Sequence, residues 1–386
     1  MKRETEAQHH QKISLSDDNR PLTSPIYQSA KFTFPRFEDI EDLFAGRREG
    51  YFYTRKGNPT VRELEVTLAQ MQGQDDGFAF SSGVAAISHS LIALLEKGDH
   101  VVLFWQSYLP TRVITRDILG KFGVEHSLCS VLDLDALEAT LKAKPTKLVI
   151  LEATTNPMLF VPELDKIVEL AHKYGAQVVL DATFTGVHQL GDSGVDLFIH
   201  SLTKYVSGHG DVIAGAVVGS KAMIQKIRNV ATELGGVLDP QQAFLCLRGI
   251  KTYFVRRERQ CQNSLAIAQS LQKNPKISKV YHPGLDCHPE YLNATRLLED
   301  SGTLVSFDLS NKIKLANFLN ALKIIEIAGS LGSTETIIAP VMAFYGHDLS
   351  GEAKKLGRMT HQSVRLSVGL EDAQDIVSDI AQALDQ

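Results

Sequence analysis

Four short apolar runs punctuate the middle of the chain: HVVLF (His100–Phe104), KLVILE (Lys147–Glu152), QVVLD (Gln177–Asp181) and DLFIHS (Asp196–Ser201). None alternates apolar with polar residues, and each is rich in Val, Ile, Leu or Phe. Strands buried on both faces of a parallel sheet read this way. Between them LDALEATLKA and ELDKIVELAHKYG carry apolar residues at helical spacing, the second closing on a glycine as helix C-termini often do. Repeated strand–helix units predict a doubly wound α/β domain. From FLCLRGIKTYFVRRERQCQNSLAIAQSLQKN onward the texture changes. That stretch reads as one long, charged amphipathic helix, followed by LVSFDLS, a helix through IKLANFLNAL, VRLSVGL and a closing helix EDAQDIVSDIAQAL. The expected division is an N-terminal arm over 1–50, an α/β domain over 51–245 and a smaller α+β domain over 246–386.

Charge narrows the partners. Forty basic residues face 45 acidic ones in 386, a net charge of −5. A nucleic-acid or membrane-surface binder would want a basic excess. No window approaches the roughly 20 continuous apolar residues of a membrane helix. The start, MKRETEAQHHQKISLSDDNRP, lacks the apolar centre of a secretory signal and reads as a flexible arm or cap. Cys129, Cys246, Cys261 and Cys287 are scattered without CxxC spacing, so neither a disulfide framework nor structural zinc is expected. A reducing cytosol follows as the expected compartment. His9 and His10 alone do not make a metal site.

Ligands of open α/β sheets sit outside the carboxyl ends of the strands. Reading outward from the four runs gives Trp105 and Tyr108, then Asn156, then Asp181, then Ser201, Thr203 and Lys204. Separately, FAFSSGVAAISHSLIALLEKGD sets Ser81, Ser82 and Gly83 immediately before a helix, where free N–H groups suit an anion; Ser82 is equally well placed as a plain N-cap. An amine, a carboxylate, an aromatic ring and a helix N-terminus together match the needs of pyridoxal phosphate: a Schiff-base lysine, a pyridinium partner, a stacking ring and a phosphate cradle. Taken singly, Lys204 reads as a solvated lysine and Asp181 as a cap. Gly208 and Gly210 form only GxG, and no GxxxxGK[ST] occurs, so nucleotide fingerprints do not compete.

At these residues the chain resembles the Cys/Met-metabolism pyridoxal-phosphate enzymes, through SPIYQSAKFTF, YFYTRKGNPT, SSGVAA, LEATTNP, DATF, HSLTKYVSGHGDV, LRGIKT, GSLGSTET and VRLSVGLED. The resemblance runs from Ser24 to the end. It implies the aspartate aminotransferase type of fold, with Lys204 as Schiff-base lysine and Asp181 as pyridinium partner. It implies Ser201, Thr203 and the backbone of Gly83 and Val84 for the phosphate, Tyr108 on the ring and Thr183 beside the cofactor. Tyr53 and Arg55 would reach a neighbouring subunit's cofactor, making a dimer with shared sites and a tetramer as the family form. Arg365 would pair with the substrate α-carboxylate, assisted by Asn156 and Ser330. Lys204, Tyr108 and Tyr53 are the expected catalytic residues, and small amino acids the expected substrates.

Departures from the family pattern bear on the reaction. The stacking tyrosine stands in YLPT (Tyr108–Thr111) rather than Tyr-Gly-Gly-Thr, a form more like bacterial β-lyases. DNTF is DATF, with Ala182; GGHSD is SGHGD, with Ser207 and Gly210. Gly329 stands where cystathionine γ-lyases and γ-synthases often carry glutamate, and APVMAFYGHD replaces the common HPxxMTH. The reaction expected on these grounds is β-elimination from cystathionine to homocysteine, pyruvate and ammonia. The alternatives are γ-elimination from cystathionine or methionine and γ-replacement on O-acyl-homoserine, with a cofactor-binding regulator as a different class.

Overall fold

The computed structural model describes residues 2–8, 21–347 and 349–386. Seven strands build the larger sheet: β1 (Asp76–Phe80), β2 (His100–Phe104), β3 (Glu125–Cys129), β4 (Leu148–Glu152), β5 (Gln177–Asp181), β6 (Leu197–Ser201) and β7 (Gly215–Gly219). Their order is β1-β7-β6-β5-β4-β2-β3. The four apolar runs are therefore contiguous and parallel in its centre. Successive residues serve opposite cores: Val102, Phe104, Val149 and Leu151 on one face, Val101, Leu103, Leu148 and Ile150 on the other. Unbroken apolar runs follow directly from burial on both faces. β7 runs antiparallel to β1 and β6, so the sheet is mostly parallel.

A second sheet comprises β8 (Ile277–Tyr281), β9 (Leu304–Leu309), β10 (Glu326–Ile327), β11 (Ile337–Pro340) and β12 (Ser363–Ser367), in the order β10-β11-β12-β9-β8. It has its own core, in which Val305, Phe307, Ile338, Val364 and Leu366 meet the helices Tyr253–Gln272 and Ala373–Leu384.

One expectation needs correction. The long helix is two helices, Pro240–Ile250 and Tyr253–Gln272, parted at Lys251–Thr252. The break has a cause. Arg256 turns back and donates to Gly249 O at 2.8 Å, satisfying a terminal carbonyl, and to Tyr205 O at 3.0 Å. Of the two readings of the polar start, arm or cap, its described part agrees with a cap: Arg3–Gln8 is helical, Ala7 is buried and Gln8 Nε2 donates to Lys251 O. His9 and His10 lie outside the described residues.

Arg257 joins the two sheets. Its Nε and Nη2 donate to Asp300 at 2.9 and 2.7 Å, its Nη1 to Phe184 O at 2.9 Å, and its guanidinium covers the Tyr205 ring at 4.9 Å. Burial alone would push the Asp300 carboxyl up, but the guanidinium beside it holds it far below the usual range. Removing one partner of such a pair strands the other charge and costs about 3–5 kcal/mol. Asp300→Ala is accordingly expected to lower stability by about 3 kcal/mol or more in guanidinium titrations. A loss below about 1 kcal/mol would mean the pair is not what holds this junction.

Candidate active site

The carboxyl ends of the central strands face the second sheet across a cavity of about 520 Å³. Every residue singled out at the four strand ends lines it: Trp105 and Tyr108 after β2, Asn156 after β4, Asp181 ending β5, and Ser201, Thr203 and Lys204 at and after β6. Gly83, Val84, Thr183, Ser330 and Arg365 complete the wall. Ser330 and Arg365 come from the second sheet's side, so neither domain makes the cavity alone.

Lys204 Nζ donates to Ser330 Oγ at 2.6 Å. Burial, assisted by the Arg365 charge and opposed by Asp181, lowers its pKa to about 8. Burial raises the Asp181 carboxyl; hydrogen bonds from Thr183 and the charge of Lys204 restrain the rise. A cation on the cavity side would stabilise its ionised form. Ser330 is held at φ 76°, a left-handed backbone that costs a non-glycine residue about 1–2 kcal/mol. That strain is retained where both its groups are used: Oγ by Lys204 and the carbonyl by Arg365 Nη2.

Arg365 lies on β12, between β11 and β9. It is not the strand-edge charge its sequence context suggests, but the largest fully buried side chain, 1% exposed. Nη1 donates to Asn156 Oδ1 at 2.7 Å, and the Tyr345 ring lies 4.9 Å from the guanidinium. Among the described residues its side-chain partners are Asn156, the Ser330 carbonyl and the Tyr345 ring, none of them a carboxylate, and its Nε is buried without a hydrogen-bond partner. A buried cation lacking its anion is a receptor for one.

The helix Gly83–Leu94 aims its N-terminus into the same cavity. Ser82 is its N-cap, accepting from Ala85 N at 3.0 Å, so the plain reading of that serine holds and the N–H groups of Gly83 and Val84 stay open to an anion. Two glycines allow the close approach. A Cβ on Gly83 would stand 3.0 Å from Ser201 Oγ, and one on Gly215 would stand 2.3 Å from Ser82 O. Thr203 Oγ1 exchanges hydrogen bonds with the Ala214 backbone at 3.2 and 3.0 Å, so its one proton is committed unless it turns. Lysine, carboxylate, open helix N-terminus and orphaned guanidinium fit pyridoxal phosphate and an amino-acid substrate. Among the described residues no cluster of His, Cys, Asp or Glu is placed to hold a metal ion.

Tyr53 and Arg55 are not brought to this cavity by their own chain. Arg55 donates to Thr232 O at 2.5 Å and lines a separate cavity with Phe52, Arg62 and Arg228, while Tyr53 is 40% exposed. Glu152 and Tyr345 also line the cavity and were not singled out from the sequence. Glu152 accepts from the backbone N–H groups of Tyr108 and Asn156, and burial, reinforced by Asp181, pushes its carboxyl well up. Its position as the last residue of KLVILE was a usable signal. Tyr345 had none.

A sheet-end lysine facing a buried arginine across two domains defines a pyridoxal-phosphate enzyme of the aspartate aminotransferase type of fold. Within that class the chain belongs to the Cys/Met metabolism PLP-dependent enzyme family, whose profile matches residues 5–385. It is 39% identical over 371 residues to an L-methionine γ-lyase of Fusobacterium nucleatum, covering 95% of this chain and 94% of that one. Against the L-methionine γ-lyase of Pseudomonas putida the identity is 36% over 385 residues, covering 98% and 96%. A Xanthomonas oryzae cystathionine γ-synthase, solved in complex with cystathionine, superposes with a TM-score of 0.92 at 32% identity, covering 100% of this chain and 98% of that one. The chain is thus a PLP-dependent enzyme of carbon–sulfur chemistry. Among the described residues no helix is long and apolar enough to cross a membrane.

The lowered lysine has a consequence for stability. A lysine titrating near 8 when folded and near 10.5 when unfolded binds fewer protons in the folded state between those values. Stability contributed by this group therefore rises with pH across that window. Cofactor-free Lys204→Met protein is expected to be no less stable than the parent at pH about 7 and to lack this rise in melts taken up to pH about 10.5. An unchanged pH slope would place the lysine's pKa elsewhere.

Proposed function

We propose that this enzyme breaks the Cγ–S bond of an amino acid carrying a small apolar thioether, methionine being the reference substrate, to give a thiol, 2-oxobutyrate and ammonia. The observation that carries this is the wall the second domain presents: Gly329, Phe344, Leu349 and Met359 line the cavity beside Ser330 and Arg365. A Cβ on Gly329 would stand 3.0 Å from the Phe344 ring, so the position is packed against an aromatic side chain. Such a surface suits a methylthio group better than the charged distal end of cystathionine. The two methionine γ-lyase relatives support the same reading.

Bound pyridoxal phosphate supplies an aldehyde that takes up the substrate amine and a ring that accepts charge developing at Cα. Lys204 Nζ would hold the cofactor at rest; as a free amine its lowered pKa would suit it to take the Cα proton and, after giving that proton up, to take one from Cβ, as γ-elimination requires. Asp181 would pair with the ring nitrogen and keep it protonated. Ser201, Thr203, the N–H groups of Gly83 and Val84, and Thr183 hold the cofactor, and Arg365 with Asn156 and Ser330 orients the α-carboxylate. Tyr108, which lines the cavity, would stack on the ring. Burial, with Asp181 and Glu152 near, raises its phenol, which keeps it protonated to protect the departing sulfur from leaving as a bare thiolate.

The same reading takes Tyr53 and Arg55 as contributions to a second copy's phosphate site, hence a dimer with shared sites assembled further into a tetramer, in the cytosol. It also takes residues 51–245 and 246–386 as the two domains, preceded by the segment 1–50. β-Elimination from cystathionine is the second reading, favoured by the YLPT segment.

Incubating the cofactor-loaded enzyme with L-methionine and, separately, L-cystathionine, with the keto acid identified by mass, decides between them. The expected result is 2-oxobutyrate with methanethiol from methionine. Pyruvate from cystathionine, with methionine inert, would establish β-elimination instead. Lys204→Ala should lose at least about a hundredfold in turnover, the lower end of what a positioned acid–base group supplies. Turnover near the parent's would remove Lys204 from the mechanism.

A further inference from the structure

We infer that Tyr345 is a substrate-contacting residue, the third member of the α-carboxylate clamp. It ends the short helix Val341–Tyr345 that follows β11, and it lines the cavity. Its ring lies 4.9 Å from the Arg365 guanidinium, and Arg365 and Asn156 are the neighbours that hold down the titration of its hydroxyl. Those are the two side chains that already meet each other at 2.7 Å. The guanidinium is committed on Nη1 and Nη2, to Asn156 and to the Ser330 carbonyl, while Nε is buried and unpartnered.

A carboxylate entering here meets an arginine, an amide and a phenol on one side of the cavity. Burial raises the phenol, with Arg365 opposing the rise, so it stays protonated at neutral pH and has a proton to donate. The ring does a second job. Lying over the guanidinium, it shields the cation from water and leaves it stronger toward an anion. Arg365 therefore supplies the charge, and Tyr345 supplies a directed hydrogen bond together with the low-dielectric cover.

This rests on the amino-acid reading of the site but not on which bond is cleaved, so the probes are ligands without a leaving group. L-Norleucine keeps the shape of methionine without sulfur, norleucinol lacks the carboxylate, and L-alanine carries the carboxylate without the side chain. Binding of each to holoenzyme is followed by the change in cofactor absorbance. Tyr345→Phe keeps the ring over Arg365 and removes only the hydroxyl. It is expected to weaken norleucine and alanine about tenfold, the scale of one charge-assisted hydrogen bond, and to leave norleucinol unchanged. Tyr345→Leu removes the ring as well and should weaken both amino acids further. In turnover the expected signature of Tyr345→Phe is a raised KM with kcat nearly unchanged. Equal weakening of norleucine and norleucinol, or no weakening of either amino acid, would overturn the assignment. Alanine binding without norleucine binding to the parent enzyme would count against the apolar thioether pocket while still deciding the role of Tyr345.

Discussion

A buried guanidinium that lacks a carboxylate is among the costlier things a fold can contain, and the architecture of this enzyme is arranged around one. Arg365 sits inside the smaller sheet and is oriented by an amide from the larger domain, a strained carbonyl and an aromatic ring. Several kcal/mol of desolvation would be recovered when an anion arrives. Ser330 then links Lys204 to Arg365, since its side chain meets the first while its carbonyl meets the second. Lys204 and Arg365 are thereby held in one frame.

The frame in turn depends on how the domains are joined. Two consecutive arginines of one helix reach the segment that carries the lysine. Arg256 takes the carbonyl of Tyr205, and Arg257 covers its ring while pairing with Asp300. A built Cβ on Gly208 would stand 1.8 Å from Arg256 Nη1, so this guanidinium fills the space directly behind the loop. Tyr205, the residue following Lys204, is fixed by the helix that connects the two sheets. The position of Lys204 is thus set by contacts between domains as well as by its own strand.

Much of this was legible in the chain, and the parts that were not share a cause. The central strands announced themselves because burial on both faces leaves no polar position to interrupt them. Lys204, Asp181 and Asn156 were visible because each stands where such a strand ends. β3, with the sequence EHSLC, lies at the sheet edge and is half polar, so it carried no comparable signal. β7 is bounded by glycines needed for close packing, which masks a strand. Arg365 follows an ordinary strand pattern and became meaningful only through the resemblance; its burial is decided by strands that are distant in sequence. Tyr345 lies where the family motif is replaced, and only the fold reveals what it faces. The helix break at Lys251–Thr252 was hidden because Arg256, not a proline or an exposed glycine, supplies the cap.

The central claim is that this cavity holds pyridoxal phosphate on Lys204. Reducing the cofactor-loaded enzyme with borohydride and mapping its peptides by mass tests that claim most directly. The account requires the pyridoxyl group on the peptide containing Lys204 and its loss in Lys204→Ala. A pyridoxyl group on another lysine, or none on a protein shown to be folded and saturated with cofactor, would contradict it.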